Sequence, residues 1–145
     1  MTVTLRDITM NNFRTCLKLE VAEHQKGFVA SNMFSLAEAK ADSVSNPYAI
    51  YDGETMVGFI MYAFAPQESR GYVSRLMVDK RFQGRGYGRA AMEVVMTRLG
   101  NIAGCREIQT SYAPDNSVAA KLYASLGFQQ TGEFVDHEAV VRMRL

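Results

Sequence analysis

Residues 2–6 (Thr-Val-Thr-Leu-Arg) alternate polar and apolar, which predicts a short opening strand. The period then changes. Phe13, Leu17 and Val21, with Cys16 beside them, recur at helical spacing and predict a helix over residues 11–23. Ser35-Leu36-Ala37-Glu38 has the form of a capping box, so a second helix is expected from Ser35 to about Val44, with Pro47 ending it. Apolar runs at 48–51 and 56–65 flank Asp52-Gly53, a hairpin turn signal, and predict two antiparallel strands. A further strand is expected at 72–78. A glycine-rich stretch follows at 84–88. Ala91, Val94, Val95 and Leu99 then share one face of a helix over 90–99. A strand at 107–112 leads to a helix with Asp115 as N-cap, which Gly127 stops after Leu126. Strands at 128–135 and 139–145, joined near Asp136-His137, close the chain. The order β-α-α-β-β-β-α-β-α-β-β predicts a mixed α/β (α+β) sheet. Its middle strands should be antiparallel, and its later strand-helix-strand unit parallel.

The 145 residues suit one domain, residues 1–145, with no repeat, linker or low-complexity segment. A hydrophobic content of 48% predicts a folded core. The net charge of +1 argues against a nucleic-acid binder. No apolar run approaches the roughly 20 residues of a membrane span, and the N-terminus reads as a strand, not as a leader. Two cysteines, Cys16 and Cys105, are too few for a disulfide framework or metal cluster, so a cytoplasmic setting is expected and no metal.

The candidate chemistry centres on Gln83-Gly84-Arg85-Gly86-Tyr87-Gly88, between the 72–78 strand and the following helix. Alternating glycines permit positive φ and close backbone approach. A helix start adds unpaired N–H groups and a partial positive charge, which together bind phosphate. Arg81, Arg85 and Arg89 flank the loop and would add charge for a multiply phosphorylated ligand. The Gly-Lys-Ser/Thr ending of a nucleotide P-loop is missing, and so is the acidic partner of a dinucleotide fingerprint.

Gln83-x-x-Gly86-x-Gly88 after a Val-Asp strand end resembles the acetyl-CoA motif of the GNAT superfamily of N-acetyltransferases. Asn116-x-x-Ala119-x-x-x-Tyr123-x-x-x-Gly127-Phe128 resembles that superfamily's late helix. The likeness covers about residues 54–135. It implies a mostly antiparallel sheet of six to seven strands, splayed at a central pair and flanked by four helices. It implies acetyl-CoA as cofactor, its pantetheine arm along Leu76, Met77 and Val78, with the backbone N–H of Met77 or Leu76 polarising the thioester carbonyl. Gln83, Gly84, Arg85, Gly86, Tyr87, Gly88, Arg81 and Arg89 would hold the pyrophosphate. Asn116, and with it Ser117 or Lys121, would reach the cofactor. Asn116 can equally serve as a plain cap.

The resemblance makes Tyr123 the general acid for the departing thiolate. A phenol suits this, since with a pKa of about 10 it keeps its proton at neutral pH. The family's strand carboxylate is missing, because that neighbourhood reads Gly71-Tyr72-Val73-Ser74-Arg75. Glu23 or His24, or a water chain, are the alternatives for the base; imidazole as a residue type suits proton transfer near neutrality.

Residues 23–39, Gly58-Phe59-Ile60-Met61-Tyr62 and Thr131-Gly132-Glu133 resemble bacterial diamine and spermine/spermidine acetyltransferases. That likeness implies a polyamine-like primary amine as acceptor, with Glu20, Glu23, Gln25, Phe28, Glu38 and Tyr62 supplying carboxylates, a polar contact and aromatic faces. It also allows a homodimer joined through the last strands. Protein or peptide N-acetylation, and a CoA-binding module with weak catalysis, are the competing expectations.

Overall fold

The apolar runs and turn signals become seven strands and four helices in the computed structural model, which describes residues 1–145. The strands are β1 (Val3–Asp7), β2 (Asn46–Asp52), β3 (Thr55–Ala65), β4 (Arg70–Val78), β5 (Glu107–Tyr112), β6 (Gln129–Val135) and β7 (Glu138–Arg144). The helices are α1 (Phe13–Lys18), α2 (Asn32–Ala41), α3 (Tyr87–Gly100) and α4 (Ser117–Leu126). One sheet runs β1-β2-β3-β4-β5-β7-β6. Every neighbouring pair is antiparallel except β4 and β5, which are linked through α3 and run parallel. No helix is long and apolar enough to cross a membrane.

Helices cover both faces of the central strands. Ile50, Ile60, Ile108, Met92, Val95 and Leu99 pack on the α3 side. Phe59, Met61, Met77 and Cys16 pack on the α1 side. Phe59, Ile60 and Met61 are all fully buried, so β3 reads as a continuous apolar run instead of an alternating one. Each such side chain contributes about 1.5–3 kcal/mol of burial. Glycine is required once inside this strand. A Cβ on Gly58 would lie 2.4 Å from the Met77 carbonyl oxygen, so β4 reaches its distance from β3 only past a bare Cα.

Two irregularities in β4 set up the site. Met61 pairs with Arg75 but Tyr62 pairs with Val73, so Ser74 is an extra residue, a β-bulge. Its hydroxyl donates to the Met61 carbonyl at 3.3 Å. On the other edge, β4 pairs with β5 only at Arg70↔Glu107, Gly71↔Ile108 and Tyr72↔Gln109. Beyond the bulge the two strands part.

Several sequence expectations are corrected. The first helix stops at Lys18 instead of continuing to residue 23, and only a short 3-10 turn, Glu23–Gln25, follows. Tertiary bonds outcompete helix continuation there: the Glu20 N–H donates to Asp79 Oδ1 at 2.9 Å, and the Lys80 N–H donates to the Glu20 carbonyl at 2.9 Å. The second helix begins a turn earlier than the capping box at Ser35 predicts and ends at Ala41, before Val44. Ser31 is its N-cap, accepting from the Phe34 N–H at 3.1 Å, while Ser35 is buried inside it. Pro47 lies within β2. Asn116, not Asp115, caps α4, accepting from the Ala119 N–H at 3.2 Å. Gly127 ends that helix at φ +103°, as expected of a C-terminal glycine.

Asp79, at the end of β4, is 1% exposed. It accepts from the Glu20 N–H, the Arg81 N–H and Arg81 Nε, which satisfies a charge that would otherwise cost several kcal/mol. Burial opposes its ionisation, but the Arg81 side chain and the two backbone donors outweigh that and hold the carboxyl below its usual range. Asp79→Ala should therefore cost roughly 1–3 kcal/mol in a thermal or urea melt, because two backbone N–H groups lose their acceptor. A depressed native pKa means the carboxylate's contribution is full above the unfolded value of about 3.9 and is lost as pH falls through the native one. The wild type should lose stability on acidification more steeply than Asp79→Asn.

Candidate active site

Where β4 and β5 part, a cleft of about 1000 Å³ opens between them, reaching the start of α3, one face of α4 and the β6–β7 turn. The walls are mixed, with apolar and polar residues from both strands and from the elements around them.

The exposed edge of β4 forms one wall. The Asp79 N–H bonds to the Val57 carbonyl, so in this antiparallel ladder residues 77 and 75 also turn their backbone groups to β3. The N–H and C=O groups of Leu76 and Val78 consequently face the cleft. Of the two backbone N–H groups expected at the thioester, that of Leu76 faces the cleft and that of Met77 is turned to β3. The Met77 side chain points to the α1 side and packs there. The Val78 carbonyl accepts from Gln83 Nε2 at 2.9 Å, and the same nitrogen donates to Gln25 Oε1 at 2.9 Å. Gln83 and Gln25 thus brace the loop's entrance while lining the cleft.

The loop itself has the backbone its glycines predict. Gly84 has φ +77° and Gly86 has φ +86°, the latter as N-cap of α3 without a side-chain cap. The first N–H groups of a 14-residue helix therefore point to the cleft mouth. Gly88 sits 3.8–3.9 Å, measured from where its Cβ would be, from Leu122, Leu76 and Val78, so α3 packs closely at its start. The Tyr87 hydroxyl donates to Asp52 Oδ2 at 2.5 Å, and the Thr2 N–H donates to Asp52 Oδ1 at 3.0 Å. The β2–β3 turn and the first strand thereby pin the loop from behind.

Tyr123 closes the inner end. It is buried, 6.0 Å from the Tyr112 ring and edge-on to Phe128 at 5.6 Å. Burial pushes its hydroxyl up to about 12; a hydrogen bond with Thr110 opposes this, and the Glu138 carboxylate adds to it. The phenol is a firmly protonated donor, positioned by aromatic packing. Asn116 also lines the cleft while capping α4, so its two expected roles coincide.

Other predicted residues lie elsewhere. Arg81 is held by Asp79 and stacks over Phe82 at 5.0 Å, and Arg85 reaches back toward the Arg81 carbonyl. Of the three arginines only Arg89 lines the cleft, with Nη1 2.7 Å from Ser125 Oγ and Nε 3.6 Å from Glu93. Ser117 and Lys121 are exposed and point away from it. Glu23 and His24 are exposed on the 3-10 turn, outside the cleft. Glu20 pairs with Lys80 at 2.6 Å and Lys26 at 3.6 Å, and Glu23 pairs with Lys26 at 3.3 Å. Glu38 pairs with Arg75 at 3.2 Å, and Tyr62 is buried against Tyr48. Phe28 and Gln25 do reach the cleft.

Several polar residues on its wall escape sequence reasoning, among them Ser74, Ser111, Asp136 and Glu138. Ser74 follows from a bulge that carries no local signal. Asp136 and Glu138 flank His137 in the last turn, which registers in the sequence only as a chain reversal. Asp136 and His137 adopt φ +51° and +66° there without glycine.

The acetyltransferase (GNAT) family model matches residues 9–128, and the chain belongs to that family. It is an acyltransferase, an acetyl-CoA-dependent N-acetyltransferase of the GNAT type. The chain is 29% identical over 139 residues to a spermine/spermidine N(1)-acetyltransferase of Bacillus subtilis, covering 92% of this chain and 91% of that one. The spermidine N-acetyltransferase of Vibrio cholerae, solved with CoA and spermine, shares the fold at TM-score 0.77 and 18% identity, over 99% and 94% of the two chains. So does a Salmonella typhimurium acetyltransferase that modifies the N-terminal serine of ribosomal protein L7/L12, at TM-score 0.76 and 15% identity over 100% and 96%.

The cleft fits the cofactor: an unpaired strand edge suits an amide-bearing arm, and two left-handed glycines before a helix suit a pyrophosphate. Gly86→Val should raise the acetyl-CoA KM at least tenfold with a smaller change in kcat. A β-branched residue strains at φ +86° and would pull the first N–H groups of α3 off target. Steady-state kinetics and CoA titration calorimetry check this.

Proposed function

We propose that this enzyme acetylates a primary amine of a small, flexible polycation of the polyamine or diamine type. The observation that carries this reading is the charge state of the cleft's inner wall. Asp136 and Glu138 line it and neither forms an ion pair, whereas Glu20, Glu23 and Glu38 are each neutralised by a lysine or arginine of the chain. Two free carboxylates in a cleft that Tyr72 and Phe28 also line suit an ammonium-bearing aliphatic chain. The likeness to the Bacillus subtilis enzyme over nine-tenths of both chains supports the same acceptor class.

Acetyl-CoA supplies an activated acetyl thioester. The chain's own groups do the rest of the work in this reading. The Leu76 N–H, turned into the cleft by the ladder register, donates to the carbonyl oxygen as charge develops there. The α3 N-terminus and Arg89 hold the phosphates. Tyr123 holds a proton for the leaving sulfur.

A panel of amines under saturating acetyl-CoA tests the acceptor. Spermine, spermidine and short diamines should turn over, and an N-terminal serine peptide should not. Turnover of the peptide with none of the polyamines would overturn the assignment.

Tyr123→Phe should lower kcat by about 10²–10³-fold, the usual worth of a general acid, while CoA affinity stays near wild type. A general acid works only while protonated, so activity that depends on Tyr123 persists through the neutral and mildly alkaline range and is lost only toward about pH 12. A pH–rate profile of the wild type checks this.

A further inference from the structure

We propose that Glu138 is the base of this active site: its carboxylate, held in place by Ser111, takes a proton from the acceptor's ammonium on the cleft wall near Tyr123. The proposal rests on the acetyltransferase reading and adds to it the residue that prepares the nucleophile.

Of all the carboxylates in the chain, only Asp136 and Glu138 line the cleft. Asp136 is exposed at the tip of the β6–β7 turn, while Glu138 is half-buried at the start of β7. The sheet register dictates what Glu138 meets. Ser111 of β5 lies opposite Val140, so Glu138, two residues back on the same face, is its diagonal neighbour. Ser111 Oγ donates to Glu138 Oε1 at 2.7 Å. The other oxygen, Oε2, has no partner within the chain and is free to accept from an ammonium. Ser111 stands between Thr110 and Tyr112, the two β5 residues that contact Tyr123, so strand alternation puts Glu138 and Tyr123 on opposite faces of β5, close enough for the Glu138 charge to act on the phenol.

The remaining charged and titratable groups leave this role to Glu138. Arg75 of β4 lines the cleft but is paired with Glu38. Arg142, further along β7, is turned to Glu133, Gln109 and Glu107. His137 is exposed and outside the cleft.

The proton movements balance. An acceptor N–H bond breaks and its proton goes to Glu138. The freed nitrogen lone pair forms a C–N bond with the acetyl carbon, the C–S bond breaks with its electron pair on sulfur, and the Tyr123 proton passes to that sulfur. The new amide nitrogen sheds its remaining extra proton to the phenolate, and Glu138 releases its own proton to water. The two groups are also coupled in the useful direction. The Glu138 charge helps hold the proton on Tyr123, so neutralising Glu138 makes the phenol a better donor just as the thiolate forms.

The test compares wild type, Glu138→Gln, Glu138→Asp and Ser111→Ala with spermine and with an amine that is already unprotonated at the assay pH. Glu138→Gln should lower kcat/KM for spermine about 10²–10³-fold. CoA affinity and thermal midpoint should stay unchanged. Glu138→Asp should recover part of the rate, Ser111→Ala should show a smaller loss, and the unprotonated amine should suffer much less than spermine. Wild-type kcat/KM in Glu138→Gln, or an equal loss with both amines, overturns the proposal while leaving the acetyltransferase reading intact. Failure of the wild type to turn over any amine would overturn the acceptor reading and this proposal together.

Discussion

The departure of β4 from β5 is the constraint on which the site depends. Parallel pairing lasts for three residues and ends next to the Ser74 bulge. A bulge bends its strand and steepens the twist, so the second half of β4 cannot stay in reach of β5. Backbone groups at Leu76 and Val78 are then left without strand partners inside the protein. Such groups are costly unless water or a ligand satisfies them, so the same feature that opens the cleft also makes it sticky for an extended amide chain. The splay survives because the surrounding core is stiff. Phe59, Ile60 and Met61 of the neighbouring strand have no exposed surface, and Gly58 lets the two backbones approach where a side chain would collide.

Charge placement divides the cleft into two ends. At the outer end there is little net side-chain charge. Arg81 is committed to Asp79, Arg85 to the Arg81 carbonyl, and only Arg89 remains on the wall. What that end offers an anion is mainly backbone N–H groups and the helix dipole. The same cleft also holds a firmly protonated phenol and two carboxylates that no cation neutralises. The segment from Glu20 to Glu38, which looks like an acidic acceptor site in the sequence, is instead a set of structural ion pairs that hold the loop against β4 and Lys80.

The elements with strong local signals were legible. The Asp52-Gly53 hairpin, the glycine loop, the strand at Glu107–Tyr112 and the Gly127 stop each carry a backbone requirement that a few adjacent residues meet on their own. The first helix and the Ser35 capping box were misread for the opposite reason. Residues 19–22 have acceptable helical spacing, but Asp79, 59 residues away from Glu20, offers a buried acceptor that no local pattern can announce. Ser35 has a Glu three positions on, yet the turn before it finds its cap at Ser31 and leaves Ser35 inside.

The order of elements, the positive-φ loop and the helix carrying Tyr123 can all be read locally, because each follows from the conformational preferences of neighbouring residues. Which carboxylates stand unpaired on the cleft wall follows only from the folded sheet. Glu23 and Glu38 meet lysine and arginine partners, and Glu138 comes to lie beside Ser111 through the β5–β7 register. A charge is free or neutralised according to what lies within a few ångströms of it. For residues tens of positions apart, that distance exists only once the sheet has formed.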